Sequence, residues 1–310
     1  VVKEKHGYPA RFDRVKKALV GLADLTLFEA KTGNPERFSK LNLADPAGGK
    51  KTDSRLLTVK DKDGKVLAAI VIGRENTNSA VFGKEMVYVR QPDKKRAWLA
   101  LGNPDVTGDA LAWTRKEITD IGKDRIRQTV LTPAKGEAAI IGREKPTDKD
   151  FGVKDVPDGF KEKSKRLIAA VPGVLEDLDL SDVRPAKDID FAKNAAGEAR
   201  FETFDGIVLT MRMAKVDKDI WLTVAARFDP AKAVKPAAKD KDSKDKDSKI
   251  KSAADAKKEA AEIAARTAGW AYKVSKTNER FLGFKKADLM DKKKQEKKKP
   301  GDKKDDKKPK

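Results

Sequence analysis

The side chains that could carry out chemistry are few in this sequence, and their spacing matches no established catalytic arrangement. His6 is the only histidine, and the chain has no cysteine. A Ser-His-Asp triad would depend on His6, and a zinc site would need mostly carboxylate ligands. His6 stands beside Gly7, where a solvent-exposed turn residue is a simpler interpretation than a general base. We therefore expect no catalytic residue and no metal site.

Two short motifs resemble ligand-binding loops only in part. Residues 48–52 (GGKKT) look like the end of a phosphate-binding loop, but the glycine required four residues earlier and an apolar strand leading in are both missing. Residues 61–64 (DKDG) look like the start of a calcium loop, but no glutamate follows at the required place. A hairpin turn explains the second motif. The sequence therefore predicts no cofactor.

Positive charge is the clearest compositional signal. The 310 residues include 70 Lys and Arg against 50 Asp and Glu, which gives a formal net charge of +20. Such a field favours anionic partners, such as phospholipid headgroups, nucleic acid or acidic polymers, without selecting among them. The candidates for an anion-binding site are six lysines of the C-terminal tail: Lys292, Lys293, Lys294, Lys297, Lys298 and Lys299. The alternative is a solvated tail that only keeps the protein soluble.

The elements that would position any site follow an α+β pattern centred on residues 56–101. Asp63-Gly64 lies between two runs of β-forming residues and predicts a tight hairpin, and two further strands follow. Residues 9–23 are predicted to form a helix with one buried apolar face, which consists of Phe12, Val15, Leu19 and Leu22. Further along, we expect a helix over residues 110–120 and a strand over residues 279–284.

Several of these features recur at a constant spacing, which predicts an internal duplication. Gly7-Tyr8 matches Gly159-Phe160, 152 positions later, and the apolar helix positions match at the same spacing. Beyond the hairpin the spacing grows to 184, as between Tyr88 and Tyr272, and an inserted segment would explain the increase. We therefore predict two tandem copies of a curved antiparallel sheet with a helix packed on one face. Convergent αβ patterning is the alternative.

The expected copies span residues 1–122 and 123–289, and residues 290–310 are expected to form a disordered Lys-rich tail. The second copy carries a charged insertion at 229–267, expected to be disordered up to residue 251 and then helical with a thin apolar face. Residues 1–5 resemble a strand whose partner would precede Val1. We therefore expect the first copy to lack its N-terminal strand, together with a signal peptide or membrane anchor. No apolar run in the sequence reaches the roughly 18 residues of a membrane span.

The sequence resembles the bacterial family called domain of unknown function 4340. The resemblance rests on residues 7–32, 56–73, 86–101 and 110–126, and the second half is similar to the second copy of longer members at residues 199–215 and 269–284. It implies an extracytoplasmic protein that is anchored by one N-terminal transmembrane helix and is often encoded beside ABC-transporter components. The family has no catalytic signature, so the resemblance implies no site residues.

These observations favour a non-enzymatic accessory or scaffold subunit of an ABC-type membrane complex, acting by protein docking at exposed sheet edges or at the charged insertion. The alternative is a binding module for an anionic polymer or lipid, which would use the basic surface and tail. An enzyme ranks third, because nothing in the sequence pairs a nucleophile with a base.

Overall fold

The computed structural model describes residues 1–46, 52–81, 84–234 and 250–293, without the side chains of residues 77–81 and 84. The chain forms two compact units, the first spanning Val1–Arg115 and the second beginning at Lys116. Both units combine helices with antiparallel strands, which confirms the α+β class.

The first unit is built on one five-stranded sheet. Its strands are β1 (Thr26–Ala30), β2 (Arg55–Lys60), β3 (Val66–Val81), β4 (Lys84–Arg90) and β5 (Ala97–Leu101). They lie in the order β1-β5-β4-β3-β2, and every neighbouring pair is antiparallel. Helix α1 (Phe12–Ala23) packs through Ala18 against a core that includes Ile72 and Val87. Short 3-10 helices lie at Lys3–Lys5, Pro35–Leu41 and Ala110–Trp113.

The hairpin of β2 and β3 is confirmed, although its connection is longer than a two-residue turn. The Asp61 carboxylate accepts hydrogen bonds from the backbone N–H groups of Asp63 and Lys65, both at 2.9 Å. Gly64 has a φ of 84°, a conformation that costs glycine little. The aspartate therefore organises the turn that the Asp-Gly pair predicted.

Residues 1–5 do not form the predicted strand. Lys3–Lys5 is a 3-10 helix, and Val2 makes only an isolated bridge to Tyr8. His6 and Gly7 have φ values of 56° and 80°, so the chain turns back before a strand can extend.

Helix α1 lies where the sequence predicted it, but its predicted buried face is only partly correct, because Val15 and Leu22 are half-buried and the other two residues are exposed. Phe12 is 78% exposed and Leu19 is 44% exposed, whereas Ala18 is buried. A Cβ added to Gly21 would lie 2.8 Å from the carbonyl oxygen of Asn103, so the helix approaches its neighbour very closely there. Small residues permit this approach, and close packing outweighs the burial of the larger side chains.

The second unit is larger, and its described residues form three sheets. Its strands are β6 (Glu117–Thr119), β7 (Ile126–Pro133), β8 (Ala139–Gly142), β9 (Gly152–Val153), β10 (Phe160–Glu162), β11 (Leu178–Asp179), β12 (Asp182–Pro185), β13 (Ala195–Thr203), β14 (Ile207–Val216), β15 (Asp219–Phe228), β16 (Trp270–Lys273) and β17 (Met290–Lys292). Its α-helices are α2 (Lys165–Ala170), α3 (Ala253–Thr267) and α4 (Lys276–Leu282), and its 3-10 helices are Lys123–Arg125, Pro172–Leu175, Ala186–Asp188 and Lys286–Leu289. The main sheet has the order β12-β16-β15-β14-β13-β7-β8-β9, while β6 pairs with β11 and β10 pairs with β17.

Three of the expectations for the later part of the chain are wrong. The helix expected over residues 110–120 is one 3-10 turn, after which β6 pairs with β11. The strand expected over residues 279–284 is largely helix α4, whose N-terminus is capped by the Ser275 hydroxyl accepting from the N–H of Asn278. Met290–Lys292, expected in the disordered tail, forms β17.

Helix α3 has a well-packed face, contrary to the thin one expected for the end of the charged insertion. Ala256, Ala260 and Ile263 are buried, and the Thr267 hydroxyl donates to the carbonyl oxygen of Val224 at 2.9 Å. Alanine lets a helix lie close to a sheet, so a face with little apolar bulk still packs well. Residues 229–234 continue from β15 in a described turn, and residues 235–249 of the expected disordered segment lie outside the described residues.

The two larger sheets share an order of connection. Across the first sheet the strands lie in the order β1-β5-β4-β3-β2. Five strands of the second sheet lie in the order β12-β16-β15-β14-β13, which is the same order when the strands of each set are counted along the chain. The sheets differ at one end. Strand β13 carries β7, β8 and β9 beside it, whereas β2 is the last strand of the first sheet.

Candidate functional site

The structure describes two of the six lysines predicted to bind anions. Lys292 ends β17 opposite Phe160, and the backbone N–H of Lys293 donates to the carbonyl oxygen of Gly159 at 2.8 Å. Both lysine side chains are exposed. The four that lie outside the described residues are Lys294, Lys297, Lys298 and Lys299. The prediction of an anion site in the tail therefore stays a prediction.

The histidine and the acidic groups form no cluster suited to a metal in the part of the chain that the structure describes. His6 is exposed in its left-handed turn. Within the same ranges, no helix is long and apolar enough to cross a bilayer.

A shallow depression of about 490 Å³ lies beside β8 and β9 in the second unit. Arg143 orders the loop along its rim by donating to the carbonyl oxygens of Ile126 at 3.0 Å and Asp148 at 2.7 Å. Its guanidinium also lies over the rings of Phe151 and Phe204. Arg143 is therefore occupied in holding the loop, and we assign the depression no ligand.

The free edge of β2 differs from the other outer strands of the two larger sheets. Natural sheets protect their edges with bulges, prolines, charges or very short strands. Among the described strands, β1 has a register shift at Phe28, β12 is four residues long and ends in Pro185, and β9 has two residues. In contrast, the register shift and the charged residues of β2 are confined to its ends, Arg55 and Lys60. Its centre is the regularly paired, uncharged run Leu-Leu-Thr-Val. Among the described residues, no strand pairs with its outer edge.

Exposed apolar side chains are concentrated in the first unit. Of the ten large apolar residues that are exposed in the described ranges, nine lie there, and only Val234 lies in the second unit. One group follows α1 and β1, and the other lies on the hairpin of β2 and β3. The group on the hairpin consists of Leu56, Val66 and Leu67. Of these three, Leu56 lies on β2 itself, whereas Val66 and Leu67 begin β3 at the turn end of the hairpin.

The main sheet of the second unit has one covered face and one open face. Ala199 and Phe201 are buried, as are their cross-strand partners Met211 and Leu209. The residues that alternate with them, Glu198, Arg200 and Glu202, belong to the opposite face. Most cross-strand neighbours on that face are polar or exposed, namely Arg212, Thr210, Thr223, Ala225 and Arg227. The exceptions are Val208, which is buried opposite Glu202, and the half-buried Val130 opposite Arg200. The second sheet therefore presents a polar face that is rich in arginine.

Three cationic side chains converge on one buried carboxylate of this open face. The Glu202 side chain is only 3% exposed. Its Oε2 lies 3.0 Å from Nη2 of Arg127 and 3.2 Å from Nζ of Lys232, and its Oε1 lies 2.8 Å from Nη2 of Arg200. Burial alone would raise the pKa of Glu202, but the hydrogen bonds from Lys232 and Arg127 outweigh it and hold the pKa below its ordinary value. Glu202 is therefore ionised, and the group keeps a positive excess.

A second buried ion cluster fixes α3. Nε of Arg125 donates to Asp205 at 2.8 Å, and its two terminal nitrogens donate to the carboxylate oxygens of Glu259 at 3.0 and 2.7 Å. The Asp205 side chain is fully buried, and it also accepts from the Thr203 hydroxyl and from the N–H of Lys251. Burial would raise the pKa of Glu259, but Arg125 and Lys251 lower it below the ordinary value. This cluster is a structural joint between helix and sheet.

Sequence reasoning missed both ion clusters. Arg125 and Glu259 are 134 residues apart, and Arg127 and Glu202 are 75 apart, so no local spacing connects them. The one available signal was alternation in β13, where Glu198, Arg200 and Glu202 occupy every second position. That pattern assigns them to one face but does not identify their partners on other elements.

The fold and its surfaces define an α+β protein of two compact units, with an open sheet edge in the first and an arginine-rich sheet face in the second. The model of one family, described as a domain of unknown function (DUF4340), matches residues 1–196. The chain belongs to this family. No curated protein and no solved structure matches the chain.

Proposed function

We propose that this protein is a non-enzymatic accessory or scaffold subunit that acts by docking, and that β2 is its docking edge. The observation that carries the proposal is the contrast between β2 and the three protected outer strands. An exposed strand edge presents unpaired N–H and C=O groups, and an added strand satisfies them while alternate side chains supply specificity. Leu56, which is 48% exposed on β2, is suited to contact such a strand.

The proposed setting is the extracytoplasmic side of an ABC-type membrane complex, with an N-terminal transmembrane anchor. This part rests on the family resemblance alone. It agrees with a surface whose apolar groups are concentrated in one unit, because a subunit held beside a complex needs one face for its partner.

We further propose that the two units are copies of one ancestral unit. The shared strand order supports this, as do the matching turns at Gly7 and Gly159, whose φ values are 80° and 81°. The strand order aligns β2 with β13, because both come second along the chain in their sheets. It departs from the sequence spacing beyond the hairpin, which pairs Tyr88 of β4 with Tyr272 of β16 where the strand order pairs β4 with β15. Strand β13 carries the antiparallel strand β7 over seven paired residues. By analogy, the edge of β2 is shaped to accept an antiparallel strand.

The proposal is tested by isolating the tagged full-length protein from native membranes at low and high salt, with mass spectrometry of the retained partners. We expect transporter subunits to be retained at both salt concentrations. The variant Leu56→Lys, which places a charge on the edge, should lose them. Leu27→Lys makes the same chemical change at an exposed leucine of β1, the opposite edge strand of the sheet, and should retain them. Equal retention by both variants would remove β2 from the docking surface.

A second function has its own supporting observation. The arginine-rich face of the second unit, together with the net charge of +20, favours a binding module for an anionic polymer or lipid. Binding of that kind weakens steeply as salt increases. Retention of nucleic acid or acidic lipid alone at low salt, and its loss at high salt, would favour this function over docking.

A further inference from the structure

We propose that Arg127, Arg200 and Lys232 form a binding site for a phosphate group on the open face of the second sheet. The three side chains come from β7, from β13 and from the turn after β15, and all three reach the Glu202 carboxylate. They are only partly buried, with 29 to 39% of each side chain exposed, so a ligand can reach them from solvent. The site lies in the second unit and does not depend on docking at β2.

The charge of the group exceeds what Glu202 requires. Three cations and one carboxylate leave two positive charges in excess within the group, and Asp229, which interacts electrostatically with Lys232, offsets part of that excess. One cation is enough to neutralise a buried carboxylate, and bringing three together costs mutual repulsion. A phosphate monoester carries a charge of about −1.5 to −2 at neutral pH, so its sign is suited to the positive charge that remains.

The hydrogen-bond donors also exceed the acceptors that Glu202 provides. An arginine has five N–H donors and a lysine has three. In the described structure, Nε of Arg200 is buried without a hydrogen-bond partner. That atom is closed to solvent, so a ligand would be bound through the exposed parts of the three cationic side chains. Several donors from separate elements suit phosphate, because its oxygens point in different directions and accept charge-assisted hydrogen bonds.

The neighbouring side chains fit a small polar ligand. Thr210 lies opposite Arg200 on β14, and Gln128 lies opposite Glu202 on β7. Both are partly exposed and belong to the same face of the sheet. A hydroxyl and an amide beside the three cations can bind the group that carries the phosphate.

The test is an NMR titration of the ¹⁵N-labelled full chain, in which the Nε–H resonances of the arginines are followed. The probe is inorganic phosphate, with chloride added at matched ionic strength as the control. We expect the Arg200 resonance to move and saturate with phosphate but not with chloride. Arg200→Gln and Lys232→Gln should each weaken binding roughly tenfold or more, the equivalent of one charge-assisted hydrogen bond.

Arg212→Gln is the matched control, because Arg212 lies on the same face but contacts Glu198 at 3.7 Å and not Glu202. It should change phosphate binding less than twofold. Equal weakening by Arg200→Gln and Arg212→Gln would mean that only the general field attracts phosphate, which would overturn the proposal. If phosphate does not move the Arg200 resonance, binding to vesicles of phosphatidylcholine with phosphatidic acid is measured next. Vesicle binding by the wild type and not by Arg200→Gln would identify a lipid headgroup as the source of the phosphate. Absence of both effects would overturn the proposal. Thermal melting of each variant shows whether it is folded.

Discussion

Removing the guanidinium of Arg125 should release α3 from the second sheet. In Arg125→Met the fully buried Asp205 loses its ion pair, and Glu259 loses both of its hydrogen bonds from Arg125. Lys251 remains 3.1 Å from Glu259, and Asp205 keeps its bonds from Thr203 and from the backbone of Lys251. Breaking a buried ion pair costs about 3–5 kcal/mol, and the remaining contacts place the expected loss near the lower end, about 3 kcal/mol.

The assay is urea unfolding of the full chain combined with hydrogen exchange of the α3 amides, because a chain of two units need not unfold in one step. In Arg125→Met the α3 amides should exchange faster, while amides of the first unit are unaffected. Lys258→Met is the control, since Lys258 is an exposed residue of α3 in a weak pair with Glu262 at 4.0 Å, and it should cost less than about 0.5 kcal/mol. If the α3 amides of Arg125→Met exchange at the same rate as those of the wild type, the ion cluster does not hold α3 on the sheet.

Three further predictions follow from single positions. Glu202 and Glu259 have lowered pKa values, so the stability they contribute is complete above the ordinary value of 4.5 and is lost as pH falls through the lowered folded-state values. In Glu259→Gln the free energy of unfolding in urea should therefore depend less on pH below pH 4.5 than in the wild type. An unchanged dependence of that free energy on pH would contradict this. Gly73→Ala should destabilise the first unit by about 2 kcal/mol or more in urea unfolding, because the new Cβ would overlap the carbonyl oxygen of Leu41, whereas Gly108→Ala meets open space and should be neutral. Ser252→Ala removes the hydroxyl that caps α3 and should cost about 1 kcal/mol by the same measurement, and a neutral result would show that the cap is dispensable.

Local patterns predicted the central strands of the first sheet. The hairpin at Asp63-Gly64 and the two strands after it, β4 and β5, lie where turn residues and runs of β-forming residues placed them. Strand signals of this type are local, because a turn and two runs of β-forming residues define a hairpin without reference to distant residues.

Close packing by small residues was the main source of error in the helices. Ala18 and Gly21 face the core of the first unit, while the larger Phe12 and Leu19 are exposed. Hydrophobic periodicity weights large side chains, so it misplaces part of the buried face when close approach decides the packing. The same cause hid the packed face of α3, whose buried residues are mostly alanines.

The candidate sites depend on contacts that a single sequence does not reveal. The phosphate site joins β7, β13 and the turn after β15, and the edge of β2 is defined by the absence of a neighbouring strand among the described residues. Sheet order and long-range ion pairs are properties of the assembled fold. The sequence predicted the net positive charge and the sheets, but not where each site would lie.

The most direct test of docking at β2 is hydrogen exchange measured on the isolated protein and on the same protein within its purified membrane complex. Strand addition gives the outward N–H groups of β2 new acceptors, so alternate amides of Arg55–Lys60 should exchange at least about tenfold more slowly in the complex. Unchanged exchange in β2, with new protection elsewhere in the chain, would contradict docking through this edge.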